Sequence, residues 1–113
     1  MYQKHDNVYL HHILDEIYRV EQFLSDTSKE EFLDGDITET RYAVVRSLEI
    51  IGEAASKISS EFESQHQNIL WSVMIGMRNK MIHEYMDVDY QVVWETAKFD
   101  LPKLKEQITS LLN

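Results

Sequence analysis

The stretch "VVRSLEIIGEAASKISSEF", Val44 to Phe62, carries apolar residues at steps of three and four positions. This spacing is typical of an α-helix with one buried side. The pattern predicts a helix that begins at Asp36 or Thr38 and continues for about six turns. Its apolar side consists of Val44, Val45, Leu48, Ile51, Ala55, Ile58 and Phe62. We therefore expect this segment to be the longest helix of the protein.

Gly52 lies in the middle of this predicted helix, beside Ala54 and Ala55. A glycine inside a helix costs about 1 kcal/mol relative to alanine, so its presence requires a structural reason. Close approach of a second helix is the reason that we favour. The neighbouring Glu53 is expected to hold a cation, which Arg46 or Arg78 would supply.

Two shorter patterns precede this helix. Apolar residues recur with the helical period from Asn7 to about Ser25, and Asp6 or Asn7 is the expected N-cap. The residues of that stripe are Leu10, Ile13, Leu14, Ile17, Val20, Phe23 and Leu24. Ser28 and Glu31 then have the spacing of a capping box, and Gly35 follows where a short helix would end.

The helical pattern resumes after a polar break at residues 63–67. Ile69, Leu70, Trp71, Met74 and Ile75 lead into "MRNKMIHEYM", Met77 to Met86. Asp87 or Asp89 is the expected N-cap of a last helix, which Pro102 should kink or restart because proline has no backbone donor. The apolar residues of that helix are Val92, Val93, Trp94, Phe99, Leu101, Leu104, Ile108, Leu111 and Leu112.

The composition agrees with these patterns. The chain has 113 residues, of which 43% are hydrophobic and 27% charged, with three glycines and one proline. This length and composition predict a single all-α domain, residues 1–113. Four main helices and one short one predict an antiparallel up-and-down helical bundle.

The formal net charge of −9 disfavours a protein that coats nucleic acid through a broad basic surface, although it permits a small basic pocket. There is no cysteine, which excludes disulfides and thiolate metal sites and favours the cytoplasm. The sequence contains no secretion signal pattern and no run of eighteen apolar residues. We therefore expect a cytoplasmic protein that does not bind a membrane.

The histidines give little support to a metal site. His11 with Asp15, and His12 with Glu16, have the spacing of helical neighbours, but two ligands are too few for a tight site. "HEYMD" lacks the second histidine of a zinc-peptidase motif, because position 87 is Asp87. The glycines are isolated from one another, so no phosphate loop exists. We expect neither a metal nor another cofactor.

Arg78 and His83 are the groups in "MRNKMIHEYM" with catalytic chemistry. Arginine can grip a phosphate and stabilise developing charge, and histidine can transfer a proton near neutral pH. Together they suffice to cleave RNA without a metal, through attack by the 2′-hydroxyl that only RNA supplies. On a regular helix the two residues point about 140° apart, whereas Arg78 and Tyr85 lie within about 20°. A shared site thus requires a distorted helix or two subunits, and a structural salt bridge of Arg78 is the alternative.

Several motifs resemble those of one family. "RNKMIHEY", Arg78 to Tyr85, is similar to the R-x-x-x-x-H-x-Y motif of the HepT-like toxins in the HEPN superfamily. "RSLEIIGEAASKIS" resembles the second signature of that family, and Trp71 before "GMRN" and "VW" at Val93 and Trp94 stand in the expected places. The resemblance extends over roughly residues 10–112.

This resemblance implies a HEPN-like helical bundle that forms a homodimer or a higher assembly, with the motifs facing each other across the interface. It also implies a metal-independent endoribonuclease that cleaves tRNA or mRNA as the toxin of a type VII toxin–antitoxin pair. The implied antitoxin is a minimal nucleotidyltransferase that silences the toxin by transferring AMP to the motif tyrosine. The implied roles are phosphate clamp for Arg78, acid/base for His83, polar support for Asn79 and AMPylation for Tyr85. From their charge and position, Glu53, Lys80 and Arg46 are expected to make substrate or structural contacts.

Two other functions stay open at this level. The chain could be a non-catalytic partner of a nucleotidyltransferase or a nucleotide-binding helical module, in which Arg78 binds phosphate and His83 is structural. It could also be a dimeric helical scaffold, in which Tyr85 is a packing aromatic.

Overall fold

The architecture was obtained from a computed structural model, which describes residues 4–83 and 88–112, with the backbone alone for residues 4 and 79–83. These residues form α-helices and one π-helical turn, and none of them is in a strand. The elements are α1 (Lys4–Leu24), α2 (Lys29–Asp34), α3 (Thr38–Ser56), α4 (Ser60–Gln65), α5 (Trp71–His83), α6 (Tyr90–Glu95), the π-helical turn (Thr96–Asp100) and α7 (Leu101–Leu112). The prediction of an all-α bundle is confirmed.

The longer elements pack around α3. This helix makes its main contacts with α1 on one side and α5 on the other, and α7 packs against α1. The core is one cluster of apolar side chains from all of these helices. The buried residues of α3 are Val44, Ser47, Leu48, Ile51, Gly52, Ala54 and Ala55. The segment from Val44 to Ala55 therefore supplies the centre of the core.

The end of α3 differs from the prediction. The helix ends at Ser56, not near Phe62, and Phe62 belongs to the separate short helix α4. The expectation that α3 is the longest helix is therefore wrong, because α3 has 19 residues and α1 has 21. Ser59 caps α4, and its Oγ accepts a hydrogen bond from the Phe62 backbone N–H at 3.2 Å. The apolar period continues through the break because Ile58 and Phe62 are both buried in the same core. The residues between α3 and α5 thus form a second short helix, α4, in addition to the predicted α2.

The predicted cap of the first helix is wrong, because α1 already includes Asp6 and Asn7. The buried Asp6 carboxylate instead accepts hydrogen bonds from Ser59, at 2.8 Å from the backbone N–H and 2.7 Å from Oγ. Two donors satisfy the carboxylate where water is excluded. Asp6 thereby ties the start of α1 to the α3–α4 connection.

Other predicted helix ends are confirmed. Ser28 and Glu31 form the capping box of α2, and the Gly35 N–H donates to the Glu31 carbonyl at 2.9 Å. The helix α3 begins at Thr38, with no side-chain cap from Asp36. Asp89 caps α6 by accepting from the backbone N–H groups of residues 91 and 92. The alternative cap, Asp87, lies outside the described residues.

The last helical segment restarts near Pro102, as predicted. The Leu101 N–H donates to the Thr96 carbonyl five residues earlier, which defines the π-helical turn. This wider turn precedes Pro102, a residue that cannot donate a backbone hydrogen bond. Phe99 is 69% exposed, because it lies two residues from the buried Ala97 and two from the buried Leu101, on the opposite side of the helix. Its predicted core position is wrong, and Phe23 of α1 is likewise exposed.

Gly52 brings α3 and α5 together, as predicted. A Cβ atom added at this position would lie 2.5 Å from both Cβ and N of Arg78, and 2.8 Å from the Met74 carbonyl oxygen. Two of these three atoms belong to the α5 backbone and cannot rotate away. Only glycine lets the two helices approach this closely.

Substitution of Gly52 should separate these helices. We expect Gly52→Ala to destabilise the protein by about 1–3 kcal/mol, since overpacking outweighs the gain in helix propensity. Gly76→Ala is the matched control, because a Cβ there meets no atom of the described residues within 4 Å outside its own stretch of helix. The control should gain about 0.5–1 kcal/mol. Urea unfolding measures both changes, and equal stabilisation by the two alanines would contradict the proposed helix contact.

Candidate active site

Arg78 lies at the boundary between α5 and α3. Met74 and Met77 of the same helix are buried in the core and fix the rotation of α5 about its axis. Arg78 is one turn after Met74, beside the Gly52 contact, and its side chain is 41% exposed. The guanidinium group therefore starts from a packed backbone and ends at the protein surface.

An ion pair orients this guanidinium group. Arg78 Nε lies 2.7 Å from Oε2 of Glu53, the residue after Gly52 in α3. Lys57 Nζ lies 3.5 Å from Oε1 of the same carboxylate. The arginine carries four further N–H donors on its terminal nitrogens, and these are the atoms that grip phosphates in pairs. Glu53 thus holds one edge of a group whose other donors have the chemistry to bind an anion.

The energy of this ion pair is modest, since the side chains of Arg78 and Glu53 are 41% and 46% exposed. Ion pairs of this exposure contribute about 0–1 kcal/mol to stability. The structural consequence of the pair is therefore orientation of the arginine more than stabilisation of the fold.

The other basic candidate, Arg46, has a different partner. Its Nη1 atom lies 3.5 Å from Oε2 of Glu49, and its side chain is 70% exposed. Of the two cations considered for Glu53, the structure therefore places Arg78 there. Arg46 lies two turns earlier on α3, on the surface.

The remaining candidates lie in the last part of α5 and in the residues that follow it. Asn79, Lys80 and His83 belong to α5, for which the backbone alone is described at these positions. Tyr85 lies outside the described residues. Their roles therefore stay predictions from the resemblance.

The path of α5 bears on how Arg78 and His83 combine. The helix runs as regular α-helix from Trp71 to His83. On such a helix, position 83 is about 180° from the buried Met74, while position 78 is about 40° from it. The regular α5 thus places positions 78 and 83 about 140° apart around its axis.

One pocket near Arg46 was missed by the sequence analysis. It is lined by Tyr42, Val45 and Glu49 of α3, together with Val88 and Tyr90 at the start of α6. In the sequence, the signal for this pocket is an aromatic residue, Tyr42, one helical turn before Arg46. Its exposure is seen only in the structure. The α6 side of the pocket depends on tertiary packing, which spacing along the chain does not reveal.

No group of three or more His, Asp or Glu side chains suited to a metal ion occurs within the described part of the chain. Glu16, which the sequence pairs with His12, is buried and forms an ion pair with Arg19 instead. Across residues 4–83 and 88–112, no helix combines the length and apolar character needed to cross a membrane.

Comparison with known proteins gives a consistent result. The chain is 42% identical over 103 residues to "Probable ribonuclease HepT" of Thermococcus cleftensis, covering 91% of this chain and 92% of the relative. It is 41% identical over 104 residues to a "Putative RNase" of Caldanaerobacter subterraneus subsp. tengcongensis, covering 92% and 91%. It is 39% identical over 100 residues to a "Putative RNase" of Methanocaldococcus jannaschii, covering 88% and 90%.

No solved structure matches the chain significantly. The family model described as "Ribonuclease HepT-like" matches residues 13–111, which includes every element from the second half of α1 to α7. With this match and with relatives aligned over nearly their full length, the chain belongs to the HepT-like ribonuclease family of the HEPN superfamily.

Proposed function

We propose that this protein is a metal-independent endoribonuclease, with Arg78 and His83 as its catalytic residues. The observation that carries the proposal is that Glu53 of α3 holds the Arg78 guanidinium where α3 and α5 meet. Arg78 is also the first residue of "RNKMIHEY", in a chain of the HepT-like family. The relatives are named as probable or putative ribonucleases, and these names support the same substrate class. RNA is therefore the proposed substrate, as tRNA or mRNA.

The proposed reaction uses RNA itself as the source of the nucleophile. The 2′-hydroxyl attacks the neighbouring phosphorus while His83 accepts its proton, and the bond from phosphorus to the 5′-oxygen breaks. A proton returns to the leaving oxygen, which gives a 2′,3′-cyclic phosphate and a 5′-hydroxyl. Arg78 stabilises the charge on the non-bridging oxygens through its terminal nitrogens. Glu53 acts as a positioning residue that fixes the plane of the guanidinium group.

Cleavage of RNA in the presence of a chelator tests this mechanism. We expect Arg78→Ala to lower the cleavage rate about 100- to 1,000-fold, as loss of a charge-stabilising donor does. His83→Ala should lower it about 100- to 10,000-fold through loss of acid/base catalysis. Lys103→Ala, which removes an exposed cation on α7, is the control and should keep full activity. Equal cleavage by all four proteins would contradict the assigned roles.

We also propose that the active unit is a homodimer or a higher assembly in which one subunit supplies Arg78 and its partner supplies His83. The regular course of α5 supports this arrangement, because it separates the two positions within one chain. Val73, on the flank of α5, is exposed and is an apolar group suited to a subunit contact. A two-fold axis would bring complementary halves of the site together.

Mixing inactive variants tests the shared site. A dimer of Arg78→Ala with His83→Ala contains one complete site if the residues combine across the interface. Random exchange of subunits should then restore about a quarter of the wild-type cleavage rate, since half of the dimers are mixed and each has one of two sites. A site within one chain predicts no recovery. Light scattering on each variant provides the control for assembly.

We propose further that the protein is the toxin of a type VII toxin–antitoxin pair and acts in the cytoplasm. Its partner would be a minimal nucleotidyltransferase that transfers AMP from ATP to Tyr85. A phosphoester two residues from His83 would add negative charge and acceptor oxygens that compete with RNA for Arg78. The net charge of −9 suits docking to a basic partner.

Incubation with the transferase from an adjacent gene and ATP tests this regulation. We expect mass spectrometry to show AMP on Tyr85 and RNA cleavage to be lost in parallel. Tyr85→Phe removes the acceptor hydroxyl and should stay active and unmodified under the same conditions. AMP on another residue, or cleavage that persists after complete modification, would contradict the proposed switch.

A second candidate function is a non-catalytic partner of the transferase. The Arg78–Glu53 ion pair favours it, because this pair gives Arg78 a structural role without any substrate. Intact RNA after long incubation, together with stable co-purification of the transferase, would support this function over catalysis.

A further inference from the structure

The pocket between α3 and the start of α6 has the features of a small-molecule or base-binding site. Its volume is about 370 Å³, within the range of protein ligand pockets. Tyr42, Val45 and Glu49 line it from α3, and Val88 and Tyr90 line it from the other side. Tyr42 is 65% exposed, so its ring can be reached from solvent. The pocket thus combines aromatic and aliphatic walls with one carboxylate.

The Tyr90 wall is held in place by the fold. The Arg41 guanidinium carbon lies 5.1 Å from the centre of the Tyr90 ring, and Phe32 packs edge-on against the same ring. Arg41 is itself fixed by hydrogen bonds to the carbonyls of Phe32 at 2.6 Å, Leu33 at 2.7 Å and Gly35 at 3.1 Å. A pocket with such a wall is formed before a ligand arrives, which lowers the entropic cost of binding.

The position of the pocket connects it with the proposed active site. Tyr42, Arg46, Glu49 and Glu53 follow one another on one side of α3 at steps of four, three and four residues. The distance along the helix from Tyr42 to Glu53 is about 16 Å at 1.5 Å per residue. Glu53 holds Arg78, so this side of α3 leads from the pocket to the proposed phosphate clamp. That length suits a few nucleotides of single-stranded RNA.

We propose that this pocket takes one unpaired, amino-bearing nucleobase of the RNA, stacked on Tyr42, with Glu49 accepting a hydrogen bond from the base amino group. The inference rests on the proposed function, because RNA is the ligand in both. Arg46 would contact the backbone beside this base. The pocket would then select where the chain is cut, since the bound base sets which phosphate reaches Arg78.

The chemistry of the lining favours this occupant. Unpaired RNA bases are commonly bound by stacking on exposed aromatic rings, and Tyr42 is such a ring at the mouth of the pocket. A carboxylate is an acceptor only, so it suits bases with an amino group. Uracil has no amino group and offers only its N3–H, which is flanked on both sides by carbonyl oxygens that Glu49 would repel. Cytosine, adenine and guanine each offer an amino group.

Binding of short fluorescent oligoribonucleotides, followed by anisotropy, tests the pocket separately from catalysis. The protein would carry His83→Ala, which is expected to prevent cleavage, and the buffer would contain a chelator. We expect oligocytidylate to bind about 10-fold more tightly than oligouridylate, as one base-specific hydrogen bond can provide. Adding Tyr42→Ala should weaken oligocytidylate binding about 10-fold through loss of stacking, while Tyr42→Phe should keep most of the affinity. Glu49→Gln should reduce the preference for cytidine.

Tyr18→Ala is the matched control, because Tyr18 is a 59% exposed tyrosine of α1 outside the pocket. It should leave both affinities unchanged. Equal oligocytidylate binding with and without the Tyr42 ring, or no RNA binding at all, would overturn the inference. A change in oligomeric state on Tyr42→Ala with unchanged RNA affinity would also overturn it, by identifying the pocket as a subunit contact.

The outcomes separate the two proposals. If RNA binding prefers cytidine and depends on Tyr42, the pocket is supported. If the wild-type protein nevertheless leaves RNA intact, the proposed ribonuclease activity is refuted. Cleavage that is normal in Tyr42→Ala and indifferent to base identity supports the ribonuclease and refutes the pocket.

Discussion

The contact between α3 and α5 at Gly52 is the constraint on which the rest of the candidate site depends. Without a Cβ at this position, the backbone of α5 at Arg78 lies directly against α3. Glu53, the next residue of α3, can then reach Arg78 Nε at 2.7 Å. Glycine costs about 1 kcal/mol inside a helix, but burial of the neighbouring Ile51 and Met74 offsets that cost. Backbone packing thereby determines where the arginine lies.

The pairing of Arg78 with Glu53 sets two electrostatic effects against each other. The carboxylate weakens the attraction of Arg78 for a phosphate, but it also fixes the plane of the guanidinium group. The pair is half-exposed and worth about 1 kcal/mol at most, whereas each charge-assisted hydrogen bond to a phosphate contributes about 1.5–3 kcal/mol. A phosphate on the terminal nitrogens can therefore be bound while the Nε contact persists, and orientation outweighs the lost charge.

The difference between charges close to Arg78 and the net charge of the whole protein explains how a protein with a net charge of −9 could bind RNA. At physiological ionic strength, charges beyond about 8 Å are largely screened. A phosphate at Arg78 would sense Lys57 and Glu53 nearby far more than acidic residues on distant helices. The net charge then governs how the whole protein approaches a partner, while the local arrangement governs binding at the site.

Sequence patterns predicted the helices well because burial of one side depends on residues close together in the chain. The capping box at Ser28 and the Asp89 cap are local in the same sense. The errors arose where distant residues decide the structure. The α3–α4 break involves a bond from Ser59 to Asp6, fifty-three positions away. Likewise, spacing named two cations for Glu53, and only packing selected Arg78.

The course of α5 also suggests why assembly and activity would be coupled in so small a chain. Its buried side is occupied by Met74 and Met77, and Arg78 lies at the edge of that side, where α3 can orient it. Position 83 lies on the opposite side of the helix, about 180° from Met74. About 140° of a regular helix separates positions 78 and 83. In the shared site proposed above, Arg78 is fixed within one subunit and His83 of the next subunit acts on the phosphate that this arginine holds.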